Sequence, residues 1–108
     1  MNLDISFHNL DPSEAVKERV REGASKLQAL FPRLTGCQVV LEGLHQLNDH
    51  VHGHRVRIRM TVPGQELVVS KEPDGGHNGP AGENDMYHLL HKAFDAAQRR
   101  LRDFKETH

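Results

Sequence analysis

Apolar residues recur along this chain with two distinct periods, and the switches between them divide it into six elements. In "NLDISF", Leu3, Ile5 and Phe7 alternate with polar neighbours, the pattern of a short strand with one buried face. "LDPSE" follows. Asp11 is placed to cap a helix, Pro12 suits the first helical position, and Glu14 completes a capping box of the D-x-x-E kind. From Pro12 to about Phe31 the period changes to 3.6, with Val16, Val20, Ala24, Leu27 and Leu30 or Phe31 on one stripe, and Pro32 stops the helix. Gly23 sits inside it at a cost of roughly 1 kcal/mol relative to alanine, which marks a place of tight packing.

Period two returns in "TGCQVVLEG", where Cys37, Val39 and Leu41 share a face. It continues in "HRVRIRMTV", with Val56, Ile58, Met60 and Val62 on one side and Arg55, Arg57, Arg59 and Thr61 on the other. "VPGQ" supplies Pro63 and Gly64 at the centre of a type II turn, and "ELVVSKE" comes back as a fourth strand. The stretch "HQLNDHVHGH" between the second and third strands contains Asn48, Asp49 and Gly53 and reads as a loop. Residues 73–84, "PDGGHNGPAGEN", lack any large apolar residue and read as a flexible loop within a single domain spanning 1–108. A last helix, from about Asp85 to Lys105 and capped by Asn84 or Asp85, carries Met86, Leu90, Ala93, Ala97, Leu101 and Phe104 at threes and fours; Leu89 and Phe94 widen the stripe.

The order is β-α-β-β-β-α. Two hairpins make strands two to four antiparallel, whereas the first strand reaches the second through a helix and can pair with it in parallel. Two amphipathic helices and a sheet with one apolar face predict an α+β two-layer sandwich, a four-stranded sheet with both helices on one face.

Composition narrows the class. No apolar run approaches the ~20 residues that span a bilayer, and "MNLDISFHNLDPSE" carries acids where a secretory signal carries basic residues. A cytoplasmic protein without a membrane partner is the expectation. Cys37 is the single cysteine, so an intrachain disulfide or a multi-cysteine zinc site is excluded. The net charge of -1 conceals a segmental imbalance. Residues 12–34 hold five Lys/Arg against three acids, 51–71 four against one, and 85–108 five against four. Segments 1–11, 35–50 and 72–84 hold acids only. An anionic partner feels such local fields rather than the total.

Several groups could carry chemistry. Arg55, Arg57 and Arg59 form a row at about 6–7 Å, comparable to phosphate spacing. The competing reading is a solvated sheet face with these arginines paired to Glu42, Asp4 or Glu66 on neighbouring strands, and it is the stronger of the two. Lys17, Arg21 and Lys26 on the first helix, with Lys92, Arg99, Arg100 and Arg102 on the last, lie off the apolar stripes. They suit either an RNA-binding surface or ordinary solubility with i,i+4 pairs. His50, His52 and His54, with His45, could offer imidazoles to nickel, copper or zinc. A loop without fixed geometry argues against that, and no metal or other cofactor is expected. The imidazoles could also gain charge toward pH 6 and add phosphate contacts. Met86 and Tyr87 suit a core or boundary role, and Cys37 a buried thiol. No phosphate-binding glycine loop, Ser-His-Asp order or nucleophile elbow occurs, so nothing points to an enzyme.

The strings "SKLQALFPRL", "CQVVLE", "VRIRMTVPGQELVVSKEP" and "DMYHLLHKAFDAAQRRLRDF" stand in an order and spacing that covers nearly the whole chain. Together they make the chain resemble the short form of the bacterial ribosome hibernation-promoting factor and ribosome-associated inhibitor family. The resemblance implies a fold similar to a double-stranded-RNA-binding domain. It implies binding to the small ribosomal subunit and its rRNA, exclusion of messenger and transfer RNA, and inhibition of translation, with no DNA partner and a monomer when free. Lys26 and Arg33 fall where the family tends to place basic residues at the end of the first helix, and Arg99 and Lys105 do likewise in the last. Lys17, Arg21, Lys92, Arg100 and Arg102 are second candidates for rRNA contact. Ala96 and Asp103 stand where relatives often carry lysine, residues 73–84 form a longer loop, and the chain ends at His108 without the domain through which long-form members dimerise. Promotion or prevention of ribosome pairing is therefore not carried over. The competing class is a histidine-loop metal-binding or protein-interaction module on the same fold.

Overall fold

The computed structural model describes residues 1–47, 50–73 and 83–107, with side chains described for all of these except 45–47, 50–52 and 83–84. The elements run β1 (Asn2–His8), α1 (Glu14–Leu30), β2 (Gly36–Leu47), β3 (His50–Val62), β4 (Gln65–Lys71) and α2 (Glu83–Thr107). The sheet has the order β1-β2-β3-β4. β1 lies parallel to β2, and the other neighbours are antiparallel, as the connections require. Val39, Leu41, Val56, Ile58, Met60 and Leu67 are buried on one face of this sheet against both helices, the α+β sandwich that the periodicities predict. Each fully buried aliphatic side chain contributes roughly 1.5–3 kcal/mol.

α1 buries Val16, Val20, Ala24 and Leu27, one stripe at spacings of four and three. Its cap differs from the expected one. Ser13 has extended backbone, and its hydroxyl accepts from the Val16 amide at 3.3 Å, while Asp11 and Pro12 lie before the helix. The hydroxyl two residues nearer the apolar stripe meets the free amides at the point where Val16 must enter the core. α2 begins earlier than expected, so Asn84 and Asp85 belong to its first turn rather than preceding it. Most of the 73–84 loop lies outside the described residues.

The helices are parallel, because their contacts advance together: Arg19 meets Tyr87, Gly23 meets Phe94, and Phe31 meets Phe104. Gly23 is where they come closest. A Cβ built there would stand 2.8 Å from three atoms of the Phe94 ring, so the missing side chain is what admits the ring. Gly64 takes φ 86 in the β3–β4 turn, the left-handed conformation that the second central position of a type II turn demands.

The histidine-bearing stretch is not the irregular loop expected from its composition. β1 ends at His8 opposite Glu42, and β4 ends at Lys71 opposite Val56. β2 and β3 continue past both as a two-stranded arm whose last pair is Leu47 with His50. Backbone pairing with the neighbouring strand extends the sheet here despite the turn-forming composition that suggested a loop.

Cys37 is buried on β2, and burial pushes its thiol up to about 11 from an ordinary value near 9.0. The folded chain therefore keeps a proton that the unfolded chain releases, so this group costs nothing below pH 9.0 and destabilises progressively between pH 9.0 and about 11. Urea unfolding should show the parent losing up to about 3 kcal/mol more than Cys37→Ala across that window. Equal losses in both proteins would contradict the assignment.

Candidate nucleic-acid interface

Parallel helices bring both C-terminal ends to one end of the molecule. There Phe31 and Phe104 meet edge to face, with ring centroids 5.7 Å apart. Arg33 follows Phe31 by two residues and Lys105 follows Phe104 by one, so this aromatic contact gathers two of the expected cations. Lys26 lines the cleft between the helices beside Gln98, and Arg99 and Arg102 continue along α2 from that point. At 100° per residue Arg99, Arg102 and Lys105 spread over only about 120° of the helix. Lys26, Arg33, Arg99, Arg102 and Lys105 are all exposed, and among the described residues none has a carboxylate within ion-pair distance. The negative ends of two helix dipoles favour cations here, and Asp103 and Glu106 partly offset them.

The remaining candidates fall elsewhere. Lys17 and Arg21 lie on the flank of α1 away from α2, and each is held by the glutamate three residues earlier: Glu14 at 3.2 Å and Glu18 at 2.9 Å. Such exposed pairs add little stability, but they leave less positive potential for a partner. Lys92 lies toward the start of α2, beside Asp85, His88 and His54. Arg100 points about 160–200° away from the Arg102 and Gln98 side of the helix.

Arg19 was not among the residues singled out by sequence. Its guanidinium carbon lies 4.9 Å from the centre of the Tyr87 ring, over the same cleft that Lys26 lines. The signal was present: Arg19 precedes Gly23 by four and Lys26 by seven, which puts all three on one strip of α1. His91 and Asp95, 3.4 Å apart, form the opposite wall of the cleft.

On the far side of the sheet the arginine row is largely neutralised. Arg55 pairs with Glu42 and Glu72, and Arg59 with Glu66 at 3.7 Å. Asp4 instead accepts from the Gln38 amide at 3.4 Å. Arg57 alone of the three has no carboxylate in reach among the described residues. Apart from Arg57, the sheet face thus behaves as the solvated surface that cross-strand pairing builds. Among the described residues no three His, Cys, Asp or Glu side chains converge as metal ligands. Among the described residues no helix is long and apolar enough to cross a membrane.

The sequence profile described as sigma 54 modulation protein / S30EA ribosomal protein matches residues 3–108. The chain belongs to this family. It is 30% identical over 108 residues to a ribosome hibernation promoting factor of Azotobacter vinelandii, covering 98% of this chain and 84% of that one. It is 29% identical to a ribosome hibernation promotion factor of Deinococcus radiodurans, covering 94% of this chain but only 47% of the longer relative. Among solved structures, a ribosomal subunit interface protein from Coxiella burnetii superposes with a TM-score of 0.74 at 15% identity, covering 98% of this chain and 99% of that one. The N-terminal domain of Thermus thermophilus Protein Y gives 0.69 at 20% identity, covering 96% and 99%. At those identities the two structures establish the shared fold of this S30EA-family chain.

Proposed function

We propose that this S30EA-family chain is a ribosome-associated hibernation factor, that it docks on rRNA of the small subunit through the end where α1 and α2 terminate, and that it blocks the messenger and transfer RNA channel. The observation that carries the docking surface is the contrast in pairing: Lys26, Arg33, Arg99, Arg102 and Lys105 are exposed and unpaired among the described residues, whereas Lys17, Arg21, Arg55 and Arg59 are each held by a glutamate. The family and its hibernation-factor relatives support the ribosome as the partner. Folded RNA presents phosphates and 2′-hydroxyls in a fixed shape, so a stiff surface with unspent cations suffices and no catalytic group is needed.

Cosedimentation with purified small subunits tests this. Four to five phosphate contacts predict roughly a 10²-fold loss of affinity between about 50 and 200 mM salt. Prior loading of the subunit with messenger and transfer RNA should exclude the protein. Salt-independent binding would remove the electrostatic interface, and simultaneous occupancy with both RNAs would remove the channel block.

A further inference from the structure

The cleft between α1 and α2 has a volume of about 150 Å³. Drug-sized ligands usually occupy roughly 300–1,000 Å³, so this space suits a single ring system. Gly23 puts no side chain into it, and Leu90 and Phe94, both otherwise buried, reach its lining as an apolar floor. Arg19 and Lys26 stand in the lining with Glu22 and Asp95, two cations with two carboxylates. Their charges cancel while His91 is neutral, so the cleft does not draw an anion as the ends of the helices do. It suits an uncharged ligand that has an apolar face and polar edges.

Two observations narrow that ligand to a nucleobase. Tyr87 is half-buried with the Arg19 guanidinium carbon 4.9 Å from its ring centre. Unstacked RNA bases settle on planar groups of these two kinds. Glu22 is exposed in the same lining and, among the described residues, has no cation within ion-pair distance. A carboxylate only accepts, so it selects an edge rich in donors. Guanine alone of the four RNA bases sets a ring N–H and an amino group side by side, matching the two carboxylate oxygens. Gln98, on the α2 wall, carries an amide that can donate to the adjoining base carbonyl. We propose that this cleft takes one unstacked guanine of the RNA partner, stacked on Arg19 and Tyr87 and hydrogen-bonded by Glu22, with Lys26 meeting its phosphate. The identity of that partner rests on the ribosomal reading above, whereas affinity for the base is a property of the free chain.

Nuclear magnetic resonance of the whole free protein tests it, because Tyr87 is the only tyrosine and its ring resonances report this cleft. Guanosine 5′-monophosphate should shift them saturably in the millimolar range expected of a single base, and ribose 5-phosphate should not. Uridine 5′-monophosphate should bind at least about fivefold more weakly. Glu22→Gln should remove most of that preference, since an amide replaces one acceptor oxygen with a donor, and Arg19→Ala should weaken both nucleotides. Both positions are exposed on α1, so these variants keep the fold, which their amide spectra check. An unshifted Tyr87, equal binding of ribose 5-phosphate or of the uridine nucleotide, or a guanine preference surviving in Glu22→Gln would each overturn the inference. Cosedimentation of the same proteins with small subunits keeps the two readings apart. A parent that sediments with subunits yet ignores the guanosine nucleotide loses only the base cleft. One that takes the nucleotide but not subunits keeps the cleft and loses the ribosomal docking.

Discussion

A protein carrying Lys26→Ala, Arg33→Ala, Arg99→Ala and Lys105→Ala together is expected to bind small ribosomal subunits on the order of 10²-fold more weakly than the parent at about 100 mM salt. The slope of log affinity against log salt should flatten by roughly four, one for each lost phosphate contact. None of the four side chains lies in the core or holds an ion pair among the described residues, so their removal should leave the fold intact. The matched control is Lys17→Ala with Arg21→Ala, which removes two cations from the same helical layer. Those two are held by Glu14 and Glu18, and their loss should cost less than about threefold, since the freed glutamates and lost cations change a field already near neutral. Measured by cosedimentation with unfolding curves alongside, similar losses in the two proteins would show that total charge, not the end of the helices, governs binding.

The strand and helix cores were legible because burial imposes its period directly. Val56, Ile58, Met60 and Val62 alternate, and Val16, Val20, Ala24 and Leu27 step by fours and a three; the structure buries all eight. The two helix starts were less legible. Asp11, Ser13, Asn84 and Asp85 can all cap, and only the position where the chain must turn into the core chooses among them. The arm was hidden for a related reason: Asn48, Asp49 and Gly53 are turn residues, but pairing of β2 with β3 runs on to Leu47 and His50 regardless. The turn-forming types in this stretch outweighed its strand signal.

The neutralised sheet face was legible in part. Pairing of the arginine row with acids of neighbouring strands is the stronger reading of the sequence, and Arg55 does meet Glu42 and Arg59 meets Glu66 at 3.7 Å. Asp4 goes to Gln38 instead, and the Glu72 partner of Arg55 was not foreseen. Lys26 was singled out by sequence but Arg19 was not, and it is parallel packing that sets the two along one cleft with Tyr87. What decides an electrostatic interface is the pairing left over after folding, and that is a tertiary property.

Gly23→Val should be the most damaging single substitution in the helical layer, lowering stability by about 2–3 kcal/mol and the melting temperature by roughly 10 °C or more. Valine regains a few tenths of a kcal/mol of helix propensity over glycine, far less than the strain it introduces. A Cβ alone would meet three ring atoms of Phe94 at 2.8 Å, and a rigid aromatic ring between two packed helices cannot bend away as a lysine tip could. Replacing the ring with a smaller, flexible side chain should relieve the clash. Phe94→Leu costs packing in the parent but costs less, or nothing, in the Gly23→Val background, giving a coupling of about 1–2 kcal/mol in a double-mutant cycle. Gly23→Ala should fall between parent and Gly23→Val, because its propensity gain of about 1 kcal/mol partly offsets the overlap. The same contact sets how far Lys26 stands from Arg99 and Arg102, so the folded Gly23→Val protein should also bind subunits more weakly than an equally destabilised variant away from the helix contact, such as Leu67→Ala on β4. Full stability in Gly23→Val would mean that the helices do not approach as closely as Phe94 and Gly23 require, and the spacing of the cations across them would then have to be set by something other than this contact.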